Sequence, residues 1–299
     1  MNDWKERIKE RFKANCRFDF PAKDITTYRI GGPVDALVYP ENREDMKWLV
    51  KFVSAGKMPF FVLGSGSNVL VGDKGIRGVV ALTGKMDQLE VSGSAVKAMS
   101  GAKWDKLVQV SAENGLTGLE KTSGIPGSVG GSVVMNAGAF GQETFDRLVS
   151  FEALDEKGNL LVLKKTDVKY SYRKVEGIRG LIIISAAFEF EKGDKSAVLA
   201  ARKEALKKRM ETQPLDSASA GSVFKRPQGD YASRLIDACG LKGLTIGGAQ
   251  VSAKHAGFII NLGNASASDI YKLIRKVKTE VKIKTGVELE LEQILVGDF

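Results

Sequence analysis

The chain has 299 residues, of which 43% are hydrophobic and 27% charged, and this composition predicts a globular protein with one large or two smaller domains. It contains no run of about 18 or more apolar residues, and its charged first residues lack the apolar core of a signal peptide, so neither a membrane span nor a secretion signal is predicted. The net charge of +9 fits a lysine-rich surface or attraction of phosphorylated small molecules, and no recognisable nucleic-acid-binding motif accompanies it.

Short helices and strands alternate along the first two thirds of the chain. Asn42 is a predicted N-cap for a helix that ends near Ala55, with Gly56 closing it. A second short helix is predicted from Trp104, with Leu107, Val108 and Ser111 on one face, and ends at Gly115. Apolar runs predict strands over 59–63, 78–82 and 181–190 and a β-hairpin over 150–164. This order indicates an α+β chain that is rich in β-structure up to about residue 190.

The last third of the chain is more helical. Residues 195–211 form a predicted charged helix that leads into a second domain, and its interrupted basic residues indicate an exposed face. The elements that follow are predicted as a short helix over 231–238, a strand over 258–260, an amphipathic helix over 270–281 and a closing strand over 287–297.

Two segments are unusually rich in glycine. Residues 123–141 read SGIPGSVGGSVVMNAGAFG, and residues 63–68, after a predicted strand, read LGSGSN. Glycine is unfavourable inside regular elements, so this density indicates turns with positive φ or close approach of the main chain to a ligand. Two such segments predict one large ligand that is held mostly by backbone groups.

Common motifs do not explain these segments. The P-loop signature GxxxxGK[ST] is absent, and residues 64–69 lack the third glycine and the helix of a Rossmann fingerprint. His255 is the only histidine, and its surroundings favour a local structural hydrogen bond over catalysis, so no metal centre is expected. Cys16 and Cys239 show no metal or redox spacing, which fits free thiols in a reducing cytosol.

Four further segments contain functional residue types. They are 26–33 (TTYRIGGP), 170–173 (YSYR), 220–227 (AGSVFKRP) and 288–297 (ELELEQILVG). If the last segment is one strand, Glu288 and Glu290 face water, and Ile294 on the same face is expected to be buried. Glu292 therefore lies between the residues of this face that are expected to be solvent-exposed and those that are expected to be buried.

Simpler interpretations of single residues stay open at this point. Glu292 is also consistent with a third solvated glutamate, and Ser222 with an ordinary turn residue. Arg173 is also consistent with a cation–π pair with Tyr172.

In their order along the chain, these segments resemble the UDP-N-acetylenolpyruvoylglucosamine reductase family, the flavoenzymes of peptidoglycan precursor synthesis. The resemblance covers nearly the whole chain and rests on TTYRIGGP, LGSGSNVLVGDKGIRGVV, SGIPGSVGGSVVMNAGAFG, YSYR, QPLDSASAGSVFKRP and LELEQILVG. The long glycine segment is the most specific of these motifs, whereas LGSGSN is similar to loops of related flavin oxidases.

The resemblance implies an α+β fold, namely a vanillyl-alcohol-oxidase/p-cresol-methylhydroxylase-type FAD-binding fold plus a smaller α+β substrate domain. It implies an FAD-binding region over 1–195, with two subdomains over about 1–56 and 57–195 joined by the C-terminal strand 287–299, and a substrate-binding domain over 196–286. FAD is expected to be noncovalent, because neither glycine loop contains a histidine. The residues implied to contact FAD, partly through backbone N–H groups at its pyrophosphate, are Tyr28, Arg29, Gly64, Ser65, Gly66, Ser67, Asn68, Ser123, Gly124, Pro126, Gly127, Gly130, Gly131, Asn136, Ala137 and Gly138.

The family's chemistry implies that NADPH reduces FAD and that hydride then passes to the enolpyruvyl double bond of the UDP-sugar. Negative charge develops toward the carboxylate, so the reaction needs a cation or acid there and a proton donor for the neighbouring carbon. Arg173 matches the family's carboxylate-binding arginine, Glu292 its acidic partner and Ser222 its general acid. The candidate substrate contacts are Lys225, Arg226 and Gln250.

Some positions depart from the family pattern. Residues 174–175 are Lys-Val, where many members have a serine two residues after the arginine that Arg173 matches. Leu291 replaces a common proline before Glu292, and the Gln293-Ile294 that follows is also atypical. The stretch from Arg173 to Leu181 is too short for the extra tyrosine-bearing loop of some members, which places the chain in the shorter class.

Two other functions stay open from the sequence. One is an FAD-dependent sugar or alcohol oxidase of the same fold, and the other is a noncatalytic protein that binds phosphosugars or nucleic acid, which only the net charge suggests. The expected protein is instead a cytoplasmic monomer that acts on a small UDP-sugar with NADPH, without nucleic-acid, membrane or metal partners.

Overall fold

The computed structural model describes residues 3–299 and combines helices with many short strands. Its helices are α1 (Asp3–Phe12), α2 (Arg43–Ala55), α3 (Trp104–Glu113), α4 (Val129–Met135), α5 (Thr144–Arg147), α6 (Lys195–Thr212), α7 (Ala232–Ala238) and α8 (Ala267–Thr285). Within residues 3–299, no helix is both long enough and apolar enough to cross a membrane.

The strands account for the β-rich character of the first two thirds of the chain. They are β1 (Cys16–Pro21), β2 (Pro33–Val38), β3 (Phe60–Leu63), β4 (Val69–Val71), β5 (Ile76–Leu82), β6 (Leu89–Ser92), β7 (Ala95–Met99), β8 (Leu116–Thr117), β9 (Gly138–Ala139), β10 (Gln142–Glu143), β11 (Leu148–Leu154), β12 (Leu160–Lys164), β13 (Tyr170–Ser171), β14 (Lys174–Val175), β15 (Ile182–Glu189), β16 (Glu191–Lys192), β17 (Thr245–Ile246), β18 (Ala249–Val251), β19 (Ile259–Asn261) and β20 (Ile294–Val296). This mixture confirms the predicted α+β class.

Side-chain caps explain where the longer helices begin. Asn42 accepts a hydrogen bond from Asp45 N at 3.0 Å at the start of α2, and Gly56 ends that helix, as predicted. At α8, Ser266 and Asp269 form a capping box. The predicted apolar face of α8 is buried and consists of Ile270, Leu273, Ile274, Val277 and Val281.

The chain divides into two compact units. The first comprises residues 3–18, 36–65 and 78–209, and the second comprises residues 19–35, 66–77 and 210–299. These bounds differ from the predicted FAD-binding and substrate regions, whose ligand assignments stay predictions. The chain passes between the units five times, four times inside regular elements (β1, β2, β5 and α6) and once between Ser65 and Gly66, so no single linker in the sequence marks the division.

The first unit contains an antiparallel sheet with the strand order β12-β11-β15-β7-β6. The predicted hairpin is confirmed, because β11 and β12 pair with Ser150 opposite Lys164. Helix α4 packs on β15, and its Val129 and Val133 join a buried aromatic core with Trp104 and Phe188. This packing fixes the middle of the glycine-rich segment on the sheet.

The second unit contains a smaller antiparallel sheet, β17-β18-β19, which α8 covers, and α7 packs against α8. Its core includes the buried face of α8 and the side chains of Tyr28, Leu70, Phe224 and Leu289. Strand β20 runs parallel to β4, with Ile294 opposite Val69.

The predicted closing strand over 287–297 is wrong in extent, because only Ile294–Val296 forms a strand. Glu288 and Glu290 are exposed as predicted, but Ile294 is also exposed, at 40%. The segment changes partners near Glu292, from the backbone of residues 223–225 to β4, so one alternating pattern does not run through it.

Candidate active site

The first Gly/Ser cluster, residues 63–68, turns sharply after β3. Gly66 has a φ of +63°, and a Cβ atom there would collide with Ile25 O, so only glycine fits. Among residues 3–299, no acceptor is present for the backbone N–H groups of Ser65, Gly66 and Ser67. Three consecutive N–H groups of this kind suit an anion such as a pyrophosphate.

Helix α4 lies inside the second glycine segment, residues 123–141, and its first N–H groups are used within the protein. Gly130 N donates to Ser100 O at 2.8 Å, and Gly131 N donates to the N-cap hydroxyl of Ser128 at 3.3 Å. The pyrophosphate therefore fits the first cluster better than the N–H groups of Gly130 and Gly131. An FAD contact of these two residues by other atoms stays a prediction.

The two glycine-rich segments meet within the first unit. A Cβ atom on Gly64 would collide with Ser128 Oγ, the cap of α4, so close approach requires glycine at this position. Lys103 Nζ lies 3.3 Å from Ser65 Oγ and adds a cation beside the first cluster. The structure thus brings Gly64 and Ser65 to the start of α4.

The beginning of the second glycine segment is held by two helices. Asp105 on α3 accepts hydrogen bonds from Gly124 N at 2.7 Å and from the Arg202 guanidinium at 2.8 Å. Arg209 Nε on α6 donates to Ser123 O at 3.0 Å. These bonds fix the turn at Ser123 and Gly124 from both sides.

Helix α6 is therefore more than the exposed helix that the sequence predicted. Its lysines are exposed, but Arg202 is mostly covered and Arg209 is buried. Burial lowers the pKa of Arg209 to about 10, opposed by the charge of Asp105, so Arg209 is still a cation at neutral pH. The sequence did not predict these contacts, because periodicity does not distinguish a buried arginine from the solvated lysines beside it.

The end of the second glycine segment is organised by Asn136. This residue is fully buried, has a φ of +41° and ends α4. Its amide donates to Glu143 Oε2 at 2.8 Å and accepts from Phe145 N at 3.1 Å. The side chain therefore has the contacts of a buried turn anchor, and its contact with FAD stays a prediction.

Arg173 lies at this same end of the segment, in the turn between β13 and β14, with a φ of +54°. Its guanidinium donates to Asn136 O at 3.1 Å and to Gly138 O. It also lies over the ring of Tyr172, 4.6 Å from the centroid, so the cation–π pair considered from the sequence is present. These contacts fix the orientation of the guanidinium next to the glycine segment.

The other two predicted catalytic residues lie in the second unit, on neighbouring segments. Glu292 N donates to Val223 O at 2.9 Å, directly beside Ser222, and Phe224 pairs with Leu291 in an antiparallel bridge. Ser222 itself pairs with Phe258. Val223 and Glu292, about seventy positions apart in the sequence, are thus joined by a backbone hydrogen bond.

Two predicted FAD contacts in the second unit differ in exposure. Arg29 is exposed, whereas Tyr28 is fully buried and its hydroxyl donates to Gln293 Oε1 at 3.1 Å. Burial raises the pKa of the Tyr28 hydroxyl, and the hydrogen bond with Gln293 opposes this rise. Tyr28 therefore has the contacts of a core residue, and its contact with FAD stays a prediction. The sequence marked Gln293 only as atypical for the family and predicted no function for its side chain.

The candidate substrate contacts have protein partners of their own. Lys225 Nζ forms an ion pair with Glu290 at 2.5 Å. The guanidinium of Arg226 lies 4.6 Å from the centroid of the Tyr231 ring, and Gln250 donates to Thr245 Oγ1 at 3.1 Å. Their contact with substrate stays a prediction.

His255 has the local structural function that the sequence favoured. Its Nδ1 accepts from Gly257 N at 3.1 Å, and its ring packs edge-on against Phe258. Burial lowers its pKa, and the charge of Lys242 contributes in the same direction. Within residues 3–299, no group of three or more His, Cys, Asp or Glu residues could hold a metal ion.

Family models match both parts of the chain. Residues 34–164, which contain the first cluster and the whole second glycine segment, match an FAD binding domain. Residues 213–296, which contain Ser222 and Glu292, match "UDP-N-acetylenolpyruvoylglucosamine reductase, C-terminal domain". The fold and these matches thus define an FAD-dependent oxidoreductase with an FAD-binding domain and a distinct C-terminal domain.

Whole-chain comparisons give the family. The UDP-N-acetylenolpyruvoylglucosamine reductase of Caldanaerobacter subterraneus is 43% identical over 295 residues, which are 98% of each chain. That of Clostridium tetani is 40% identical over 303 residues and covers 100% of this chain and 99% of its own. The crystal structure of the Thermus caldophilus enzyme (MurB) superimposes with a TM-score of 0.82 at 36% identity, over 94% of this chain and 100% of the other.

The chain therefore belongs to the UDP-N-acetylenolpyruvoylglucosamine reductase family. FAD is its cofactor, with NADPH as the reductant that goes with this family. This membership confirms the resemblance and sets aside both the oxidase and the noncatalytic binding protein that the sequence left open.

Proposed function

We propose that the chain reduces the enolpyruvyl group of UDP-N-acetylenolpyruvoylglucosamine to give UDP-N-acetylmuramate, using NADPH, in peptidoglycan precursor synthesis. The observation that carries the proposal is the backbone pairing in the second unit. The carbonyl of Val223, the residue after Ser222, accepts a hydrogen bond from Glu292 N, so the backbones of Ser222 and Glu292 lie side by side. These two residues match the family's general acid and acidic partner, and both groups are needed at the same end of the reacting double bond.

The residues of the first cluster fit the cofactor. FAD, once reduced by NADPH, supplies the hydride for the enolpyruvyl carbon. We assign its pyrophosphate to the N–H groups of Ser65, Gly66 and Ser67, which have no acceptor among residues 3–299. The cofactor is held noncovalently, since neither glycine-rich segment contains a histidine.

Arg173 and Glu292 are assigned to the substrate carboxylate. Hydride addition to the far carbon of the double bond moves negative charge toward this carboxylate. The planar guanidinium of Arg173 can bind a carboxylate through two N–H groups, which favours the charged transition state over the neutral alkene. Glu292 serves the same end when it is protonated and donates a hydrogen bond to the carboxylate.

Ser222 is assigned to the proton transfer that completes the reduction. Its hydroxyl donates a proton to the carbon beside the carboxylate, where the electron pair of the former double bond resides. A serine hydroxyl is a weak acid, so this step requires the strongly basic carbanion-like centre that hydride addition produces. Solvent then returns a proton to the serine oxygen.

The remaining assignments follow the family resemblance. Lys225, Arg226 and Gln250 are proposed to bind the UDP-sugar, because cationic and amide groups suit phosphate and sugar oxygens. Residues 1–195, whose two subdomains are joined by the C-terminal segment 287–299, are proposed to bind FAD, and residues 196–286 the substrate. We further propose a monomer in the cytoplasm, where nucleotide substrates are available and where Cys16 and Cys239 would stay unbridged, as they are in the structure.

The test separates the two half-reactions of the purified, FAD-loaded protein by stopped-flow absorbance. In Ser222→Ala, reduction of the flavin by NADPH is expected to be unchanged, while reoxidation by UDP-N-acetylenolpyruvoylglucosamine falls by at least about 100-fold. Ser217→Ala is the matched control, because that hydroxyl lies in the same segment and bonds only its neighbour Asp216.

Other outcomes would reject the proposal in distinct ways. An unchanged reoxidation rate in Ser222→Ala excludes Ser222 as the acid. NADPH oxidation that does not depend on the enolpyruvyl sugar, or reoxidation by oxygen coupled to a sugar or alcohol, excludes the reductase activity itself.

A further inference from the structure

Gln293 makes an unusual set of hydrogen bonds for a side chain in an apolar core. It is 97% covered, and its amide bonds three groups of the second unit. Oε1 accepts from Tyr28 Oη at 3.1 Å, while Nε2 donates to Ala220 O at 3.0 Å and to Gly221 O at 3.3 Å. Gln293, which directly follows Glu292, thus binds the two residues that precede Ser222.

We propose that Gln293 is a positioning residue that fixes the backbone of Ser222 relative to Glu292. The inference rests on the proposed function of these two residues. It concerns neither binding nor proton transfer by Gln293, which has no titratable group and no contact with a reacting atom.

The turn before Ser222 needs such a restraint. Gly221 has a φ of +72°, a conformation that glycine adopts readily and also leaves readily, because no side chain limits it. The Gln293 amide donates to the carbonyl oxygens of Ala220 and Gly221, which belong to the two peptide groups on either side of the Gly221 Cα atom. A change at Gly221 would break at least one of these bonds and turn the Ser222 side chain.

The two carbonyls determine which way the amide points. An amide presents two N–H donors on one side and an oxygen acceptor on the other, whereas a carbonyl oxygen only accepts. Nε2 therefore faces Ala220 O and Gly221 O, and Oε1 accepts from the Tyr28 hydroxyl. A rotated amide would oppose oxygen to carbonyl oxygen, so the carbonyls select this orientation and Tyr28 satisfies the other end of the amide.

Stability alone does not explain this arrangement. Tyr28 and Leu289 belong to the same apolar core, and burying an amide there is unfavourable unless its groups are bonded. An apolar side chain of similar size would fill the same space without that requirement. The amide is therefore best explained by the orientation that it gives to the neighbouring backbone.

Gln293→Met tests the inference, since methionine keeps the length and removes all three bonds. We expect reduction of FAD by NADPH to stay within about twofold, while reoxidation by the enolpyruvyl sugar slows on the order of 10- to 100-fold, as for a catalytic group displaced by about 1 Å. Leu289→Ala is the control, because it weakens the same core four residues away without touching these bonds. It should lower the melting temperature and leave the reoxidation rate of the folded protein unchanged.

A double variant shows whether Gln293 acts through Ser222. In the Ser222→Ala background, Gln293→Met should slow reoxidation by much less than it does in the wild-type chain, because the group it positions is gone. If Gln293→Met does not fold, Tyr28→Phe replaces it, since that change loses only the hydroxyl and should produce a smaller slowing of the same half-reaction.

The outcomes distinguish this inference from the proposed function. Equal slowing of both half-reactions in Gln293→Met, or equal slowing by Leu289→Ala, would show a merely structural function and overturn the inference. Fully additive effects in the double variant would overturn it as well. If Ser222→Ala alone leaves reoxidation unchanged, the proposed function of Ser222 fails first.

Discussion

Asn68 and Glu292 are joined directly within the second unit. The Asn68 amide donates to the backbone oxygen of Glu292 at 3.2 Å, and Ile294 N donates to Asn68 O at 2.9 Å. Asn68 ends the first Gly/Ser cluster, which we propose to bind FAD, and Glu292 is the proposed acidic partner. One side chain thus connects the turn proposed to bind the cofactor to the segment proposed to be catalytic.

The first prediction concerns this bond. Asn68→Ala should lower the free energy of unfolding by about 1 kcal/mol, weaken FAD retention and slow reoxidation by substrate, because the Glu292 segment loses its restraint. Asn114→Ala is a matched control, since Asn114 makes a similar amide-to-carbonyl bond, to Val110 O at 2.9 Å, on an exposed helix end. Flavin absorbance after gel filtration and stopped-flow traces measure both effects. Equal behaviour of the two variants would contradict the prediction.

The second prediction concerns the meeting of the two glycine-rich segments. Gly64→Ala should displace the Ser128 hydroxyl, remove the cap of α4 at a cost of about 1 kcal/mol and weaken FAD binding. The same change in a Ser128→Ala background should cost less, because the colliding atom is absent. Gly84→Ala is the control, since a Cβ atom there meets nothing within 4 Å. FAD titration and thermal melting give the readout, and a larger cost in the double variant would refute the collision.

The third prediction concerns the anchor of the second glycine segment. Asp105→Ala removes the acceptor of both Gly124 N and the Arg202 guanidinium, so we expect a loss of roughly 1–3 kcal/mol in stability and weaker FAD binding. Glu113→Ala lies on the same helix and removes only an exposed bond with Gln109. Calorimetry of FAD binding to apoprotein checks the difference. Unchanged affinity in Asp105→Ala would show that this anchor is not needed for the cofactor.

The fourth prediction concerns pH. Burial lowers the pKa of His255 in the folded chain, so the unfolded chain, with a pKa near 6.5, binds this proton at higher pH. The contribution of His255 to the free energy of unfolding is therefore fully present above about pH 7. It decreases as the pH falls through 6.5 toward the pKa of His255 in the folded chain. His255→Asn keeps an acceptor for Gly257 N but does not titrate, so its unfolding free energy should lack this decrease between about pH 7 and 5. Urea unfolding at several pH values measures the slope, and parallel curves would contradict the prediction.

Local elements were largely predictable because their causes are local. The Asn42 cap, the apolar face of α8 and the hairpin of β11 and β12 follow from residues that are close in the sequence. The closing strand was predicted too long, because the alternation of residues 287–297 does not reveal that the segment exchanges one backbone partner for another at Glu292.

The sequence by itself determined the glycine-rich segments, the α+β class and, through the order of its motifs, the family and the candidate residues Arg173, Ser222 and Glu292. These depend on residue type and local spacing. Only the tertiary structure decided that Asp105 and Arg209 hold the second glycine segment, that Tyr28 is buried, and that Gln293 contacts the turn before Ser222. Hydrogen bonds between residues tens to hundreds of positions apart depend on how the chain packs, and neither periodicity nor composition records their geometry.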